Sequence, residues 1–302
     1  MNQSIKHIRK RKSLSHYLTL LLFLGPALLG FIIFKYITSI QAIVYSFFSY
    51  SANDYIDPPG VFVFLDNYLT IFRSAEFYRQ LKNTVILFLY GILFGFWVPI
   101  LQALLLNETT KGKGVLRYLY ILPAAVPSVA GLAIWRYMWN PDSGLANTLI
   151  GLFGISPQTW LLDEKLIKLT LRLPGLLGGG IGMLIYLVAI NNVGEEMYEA
   201  AKIDGASNFR CMWSITIPNI RGIIGIQFLL SLSGSLLAFD DVYIMTGATG
   251  GPGGSAATLV FGIYMRAYDQ LQYGQAMAMS CIVLVLTLIL VGIQMKLSKA
   301  RD

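Results

Sequence analysis

The run VILFLYGILFGFWVPILQALLL, residues 85–106, carries no charged side chain. At about 1.5 Å per residue, a helix of that length crosses a hydrocarbon core about 30 Å thick. Comparable apolar runs follow one another along the chain, which predicts a bundle of membrane helices. Composition agrees: 55 % of the 302 residues are hydrophobic and 13 % are charged, against about one quarter charged in an average globular domain. A large soluble core is disfavoured, because too little charge would meet water over too much surface.

Six spans are expected, at about Tyr17–Phe34 (with the helix continuing toward Phe48), Thr84–Leu106, Leu116–Met138, Ile167–Ile190, Ile220–Phe239 and Met277–Leu297. The third holds Pro123 and Pro127. The fourth holds Arg172, Pro174 and the glycine run 178–180. With the N-terminus placed in the cytoplasm, segments 1–16, 107–117, 191–221 and 296–302 are inner and carry fourteen of the 23 Lys and Arg residues. The outer segments carry six. That bias fits the positive-inside rule and predicts two cytoplasmic termini. KHIRKRK before an apolar run also looks like a secretory signal peptide, but the run is long and no small-x-small cleavage site follows. An uncleaved first span is expected. The basic tail suits anionic lipid rather than nucleic acid.

The two cysteines, Cys211 and Cys281, lie in unlike contexts and suggest neither a disulfide framework nor a thiolate metal site. The two histidines, His7 and His16, both fall in the tail, which argues against a zinc centre or a histidine-based triad. No soluble domain, linker or internal repeat is visible. After the turn Asp57-Pro58-Pro59-Gly60, Asp66 is expected to cap an amphipathic helix bearing Tyr68, Leu69 and Phe72 at the outer face.

Between the fourth and fifth spans lies EEMYEAAKIDGASNFRCMWSITIP, residues 195–218. Asn191 or Asn192 is expected to cap a helix there, with Glu195 and Glu196 in its first turn and Lys202 near its end, each favoured by the helix dipole. Gly205 supplies the left-handed residue that stops it. A second short helix is expected from Ser207 or Asn208, and Pro218 before the next span, where its missing amide is tolerated. Ala200 and Ala201 form a smooth patch. Met197 and Tyr198 offer apolar grip, and Glu199 a charge. An ordinary loop helix lying on the bilayer is the plain alternative.

Glu199-Ala200-Ala201, then Gly205, then Ile215, then Ile217-Pro218 resembles the EAA loop of ABC importer permeases, E-A-A-x3-G-x9-I-x-L-P. Ile217 replaces the usual leucine. The extended form through Asp204, Gly205 and Ala206 resembles the carbohydrate-uptake branch. LDNY…F…NT (65–84), FDDVYIMTGATGGPGGSAATL (239–259) and IYMRAYDQLQYGQAMAMS (263–280) resemble further segments of that branch. The loop after Tyr243 is richer in glycine than usual, and Lys35 sits where an apolar residue or proline is common.

The resemblance implies an all-α integral membrane protein of the type I ABC importer permease fold, in the bacterial inner membrane. It implies a basic tail (1–16), a permease domain (17–297) with coupling loop 191–218, and a second short tail (298–302). It implies partners: a second homologous permease, two cytoplasmic ATPase subunits and an extracytoplasmic solute-binding protein. No G-x-x-x-x-G-K-[ST] loop is present, so ATP and Mg²⁺ belong on the ATPase, and this chain is expected to bind no cofactor. Tyr198, Glu199, Ala200, Ala201, Asp204, Gly205, Ala206, Ile215 and Pro218 would form the coupling element.

Polar residues inside spans are costly and usually face a cavity or a partner helix. Arg172, Gln227, Ser231, Ser233, Ser235, Asp240 and Tyr243 are therefore candidates along the substrate path. Serines at every second position cannot all share one helix face. Arg172 and Lys35 raise the idea of an anionic sugar; the plainer reading has Arg172 snorkelling or paired with Asp163 or Glu164. An importer for another solute, such as a uronate oligomer or glycerol phosphate, is the nearest rival. A membrane-embedded transferase would use Asp240 and Asp241, its only paired carboxylates. A secondary transporter would suit the glycine-broken fourth span.

Overall fold

The protein's structure, a computed structural model, describes residues 14–52, 60–109 and 111–299. The basic stretch before residue 14, most of the 57–60 turn and residues 300–302 lie outside the described residues. Among those described, four helices are long and apolar enough to cross a membrane, and six spans result if each of two bent pairs counts as one.

The first span joins α1 (Leu14–Phe31) and α2 (Thr38–Tyr45) through a π-helical turn at Ile32–Ile37. It reaches beyond Phe34, as the apolar pattern allowed. Strands β1 (Phe48–Ser49) and β2 (Val61–Phe62) pair antiparallel with Phe48 opposite Phe62. Helix α3 (Asp66–Arg73) follows. Asp66 is its first helical residue and makes no capping bond; Leu65 holds the cap position. The amphipathic assignment also changes. Leu69 and Phe72 are exposed, while Asn67 and Ile71, one turn apart, are buried. Asn67 Nδ2 donates to the carbonyls of Ser46 (2.9 Å) and Phe48 (2.8 Å), fastening α3 beneath the end of the first span.

The second span runs through α4 (Ala75–Gly91), a π turn at Ile92–Phe96 and α5 (Trp97–Glu108). Pro99 explains the wide turn. Its ring has no amide to give and would collide with the carbonyl one turn back. The third span is not one helix: α6 (Lys113–Ile121) and α7 (Ser128–Met138) meet at 95°. Val126 takes an extended backbone ahead of Pro127, the conformation that a following proline imposes. Helix α8 (Leu145–Gly151) lies in the connection that follows. The fourth span breaks into α9 (Ile167–Arg172) and α10 (Gly180–Asn191), bent by 48°. Gly179 there has φ +122°, and a Cβ on it would collide with the Gln102 side chain. Gln102 Nε2 donates to the Gly178 carbonyl (2.7 Å) and takes up one backbone group freed by the break.

Helix α11 (Glu195–Ile203) precedes the fifth span, which comprises α12 (Asn208–Cys211), a π turn at Met212–Thr216 and α13 (Ile217–Leu236). The expected separate second helix is thus the near end of the fifth span. Pro218 sits inside the continuous helix, again just after a π turn. Helices α14 (Asp240–Met245) and α15 (Leu259–Tyr264) lead into α16 (Tyr273–Lys299), the sixth span.

The most extensive helix pairing is α5 with α10, and α13 packs against both α10 and α4. Three buried clusters result. One at the α11 end holds Ala103, Leu106, Met183, Tyr186, Leu187, Ile190 and Ile220. One at the opposite end gathers Leu87, Leu171, Val242, Met245 and Phe261 with Trp139. The third joins Ile71 and Phe77 to Leu259 and Met279. Much apolar side-chain area elsewhere is exposed, including most of the first span, as lipid- or partner-facing helices require.

Candidate functional site

Helix α11 is nine residues long, with Glu195 and Glu196 in the first turn and Lys202 in the last. Gly194, not an asparagine, holds the cap position; Asn191 closes α10 and Asn192 follows it in helical geometry. Gly205 has φ +77°. Its amide donates to the Lys202 carbonyl (3.0 Å), and the Ala206 amide to the Ala201 carbonyl (2.9 Å). These two bonds form a Schellman stop. A Cβ at Gly205 would meet no atom within 4 Å, so the demand for glycine there comes from the backbone alone.

Glu199, Ala200, Asp204 and Pro218 are exposed, and Ala201, Ala206 and Ile215 are half-buried. Tyr198 faces the protein's own interior: it packs on the α11-end cluster, and its hydroxyl lies 2.9 Å from Thr216 Oγ1. Asn208 Nδ2 donates to Glu108 Oε2 (2.8 Å), tying α12 to the end of the second span. Ile203, which sequence reasoning missed, is 86 % exposed. Its only signal was an apolar residue in the last turn of a polar helix. Phe209 and Trp213, whose rings pack edge to face 6.2 Å apart, are also exposed.

A cavity of about 670 Å³ opens farther up the bundle between the second, third, fourth and fifth spans. Gln227, Ser231 and Ser235 recur at helical spacing on α13 and line it together. Ser233 points elsewhere and donates to the Leu229 carbonyl (3.2 Å). Arg172, Asp240 and Asp241 line the cavity too, as do Phe96, Tyr186 and Phe239. Gly91, Gly95 and Gly175 keep the helices close, so that little side-chain bulk fills the space. Tyr186 is 1 % exposed, and its hydroxyl has no hydrogen-bond partner among the described residues.

Arg172 Nη1 lies 2.7 Å from Asp241 Oδ2, and Nε donates to the Leu87 carbonyl (3.1 Å). This corrects the expected partners. Asp163 instead accepts from the amides of Lys165 (2.6 Å) and Leu166 (3.1 Å), and so caps a turn. Lys35 lies on the exposed face of the first span and does not line the cavity. Tyr243 does not line it either. It stacks on Phe239 at 5.1 Å between ring centroids, and its hydroxyl is 3.2 Å from that of Tyr264. That bond pushes the Tyr264 phenol above its ordinary pKa. Among the described residues no cluster of three or more His, Cys, Asp or Glu could hold a metal.

Apolar spans around a polar-lined cavity, with one exposed capped helix between the fourth and fifth, define a multi-pass membrane permease. Residues 91–301 match the family described as "Binding-protein-dependent transport system inner membrane component", and the chain belongs to it. It is a transport subunit and not in itself an enzyme. It is 30 % identical to the probable ABC transporter permease YurN of Bacillus subtilis, over 92 % of this chain and 95 % of that protein. It is 32 % identical to the trehalose/maltose transport system permease MalF of Thermococcus litoralis, covering 81 % and 82 %. A bacterial ABC transporter involved in the import of the acidic polysaccharide alginate shares the fold, with a TM-score of 0.81 at 24 % identity over 95 % of this chain and 96 % of that one.

Proposed function

We propose that this chain is one permease of an ATP-driven importer that takes up an oligosaccharide. A second, homologous permease completes the pathway. An extracytoplasmic solute-binding protein delivers the sugar, and two cytoplasmic ATPase subunits bind ATP and Mg²⁺. The likeness to the trehalose/maltose permease supports the sugar class, and the excess of Lys and Arg in segments 1–16, 107–117, 191–221 and 296–302 supports cytoplasmic termini.

The observation that carries the reading is α11. It is short, closed at its end by Gly205, and presents Glu199, Ala200 and Ile203 outward while Tyr198 is fixed inward. A rigid helix of this kind transmits displacement from a partner that closes on ATP. Small side chains let the partner approach, and Ile203 offers apolar area to a groove. The test is purification of the tagged chain from its native membrane and identification of what comes with it. An ATPase and a second permease should co-purify. Glu199→Lys should leave the chain folded in the membrane while abolishing sugar-stimulated ATP hydrolysis. Normal stimulation in that variant would sink the assignment of α11.

A further inference from the structure

We infer that this chain's cavity receives an uncharged polyhydroxylated solute, and that Asp241 neutralises Arg172 so that the arginine does not select for an acid. The inference rests on the importer reading and names its substrate class.

The charged side chains lining the cavity are Arg172, Asp240 and Asp241. Arg172 is committed to Asp241 at 2.7 Å, with the two side chains 17 % and 15 % exposed. One carboxylate, Asp240, is left in excess. A uronate entering this cavity would meet a like charge. Arg172 Nη2 is buried and has no hydrogen-bond partner among the described residues, but a uronate that paired with the arginine through both Nη1 and Nη2 would have to displace Asp241, leaving a mostly buried carboxylate without its partner, a strongly unfavourable exchange. A neutral sugar meets no such barrier. Its hydroxyls can donate to Asp240, and charge-assisted bonds of that kind are about twice as strong as neutral ones. Gln227 and the Ser231 hydroxyl supply donors and acceptors on one face of α13, and the Ser235 hydroxyl, which donates to the Ser231 carbonyl (2.8 Å), adds an acceptor. Tyr186 adds a buried hydroxyl with no hydrogen-bond partner among the described residues. Phe239 and Phe96 supply the apolar faces that sugar C–H groups require.

The test isolates the cavity from the selectivity of the solute-binding protein. The complete permease–ATPase importer, in lipid nanodiscs and without binding protein, is examined by saturation-transfer NMR with maltotriose, arabinotriose and trigalacturonate. A neutral trisaccharide should give signal and trigalacturonate should not. Asp240→Asn, at an exposed carboxylate, should weaken neutral-sugar binding about tenfold. Asp240→Asn with Asp241→Asn reverses the sign of the lining and frees Arg172; the neutral-to-acidic preference should fall at least tenfold, about 1.4 kcal/mol. If the double variant fails to assemble with its ATPase, Asp240→Asn decides alone, and unchanged neutral-sugar binding overturns the inference. Wild-type binding of trigalacturonate at least as strong as that of the neutral sugars also overturns it, while leaving the importer reading intact. Signal from none of the three sugars in an importer that still assembles would remove the sugar class itself, and the inference with it.

Discussion

Residues 246–258 and residues 192–207 both interrupt apolar helices, yet the first segment is fastened to its surroundings and the second is held at its base alone. In the first, Asn83 Nδ2 donates to the carbonyls of Gly254 and Ala257, both at 3.0 Å. Thr84 Oγ1 accepts from the Leu259 amide (3.0 Å), and Thr258 Oγ1 donates to the Ala238 carbonyl (2.9 Å). Ala256, Ala257 and Thr258 are buried. In the second, Tyr198 makes the tie to the bundle, Asn208 makes another just beyond the segment's end, and Glu199, Ala200 and Ile203 face outward. A segment stitched through its backbone acts as wall. A segment that satisfies its own backbone and leaves its side chains free acts as a surface for something else.

The contrast can be broken most forcefully at Asn83. Asn83→Leu keeps the volume but takes away the donor to the Ala257 carbonyl and leaves the Gly254 carbonyl with the Ala257 amide alone. It should cost about 2 kcal/mol or more, read as a lower thermal inactivation temperature of the purified importer and faster proteolytic cutting within 246–258. A stability unchanged from wild type would mean the loop is not held this way. Gly205→Val comes next. It meets no neighbour, so its cost is the left-handed backbone, about 1 kcal/mol or more. The importer should assemble with near-normal stability while its ATP hydrolysis no longer responds to sugar; coupling as good as wild type would remove the rigid-helix argument. The smallest effect is expected from Tyr198→Phe. Losing the bond to Thr216 is worth about 1 kcal/mol, and sugar-stimulated hydrolysis should drop about fivefold. Thr216→Val should do the same, and the two changes together should do little more than either alone.

Some of this design was legible along the chain. The charge-free run at 85–106 predicted the second span, and Gly205 predicted the left-handed stop, because both depend on residues within a turn or two of each other. Helical period said only that Ser231, Ser233 and Ser235 cannot all share one face; the structure turns Gln227, Ser231 and Ser235 to the cavity and Ser233 away. The motif Asn83-Thr84 was visible as part of a resemblance, but its purpose was not; its partners lie in a loop far along the sequence. The prolines misled in part. The apolar pattern puts Pro123 and Pro127 inside a single span, whereas the chain turns by 95° there. Pro218 reads in sequence as a boundary before the fifth span, whereas the helix absorbs it by widening the preceding turn.

The sequence by itself determined where the long apolar spans run, where α11 stops, and which polar residues must find an answer inside the bundle. Those are local matters of hydropathy, capping and backbone conformation. Only the tertiary structure decided the answers. It gave Arg172 to Asp241 rather than to Asp163 or Glu164, turned Tyr198 inward and Ile203 outward, and left Lys35 and Tyr243 outside the cavity. Partner choice among buried polar groups depends on which helices pack side by side, and in this chain those helices are seldom neighbours in sequence.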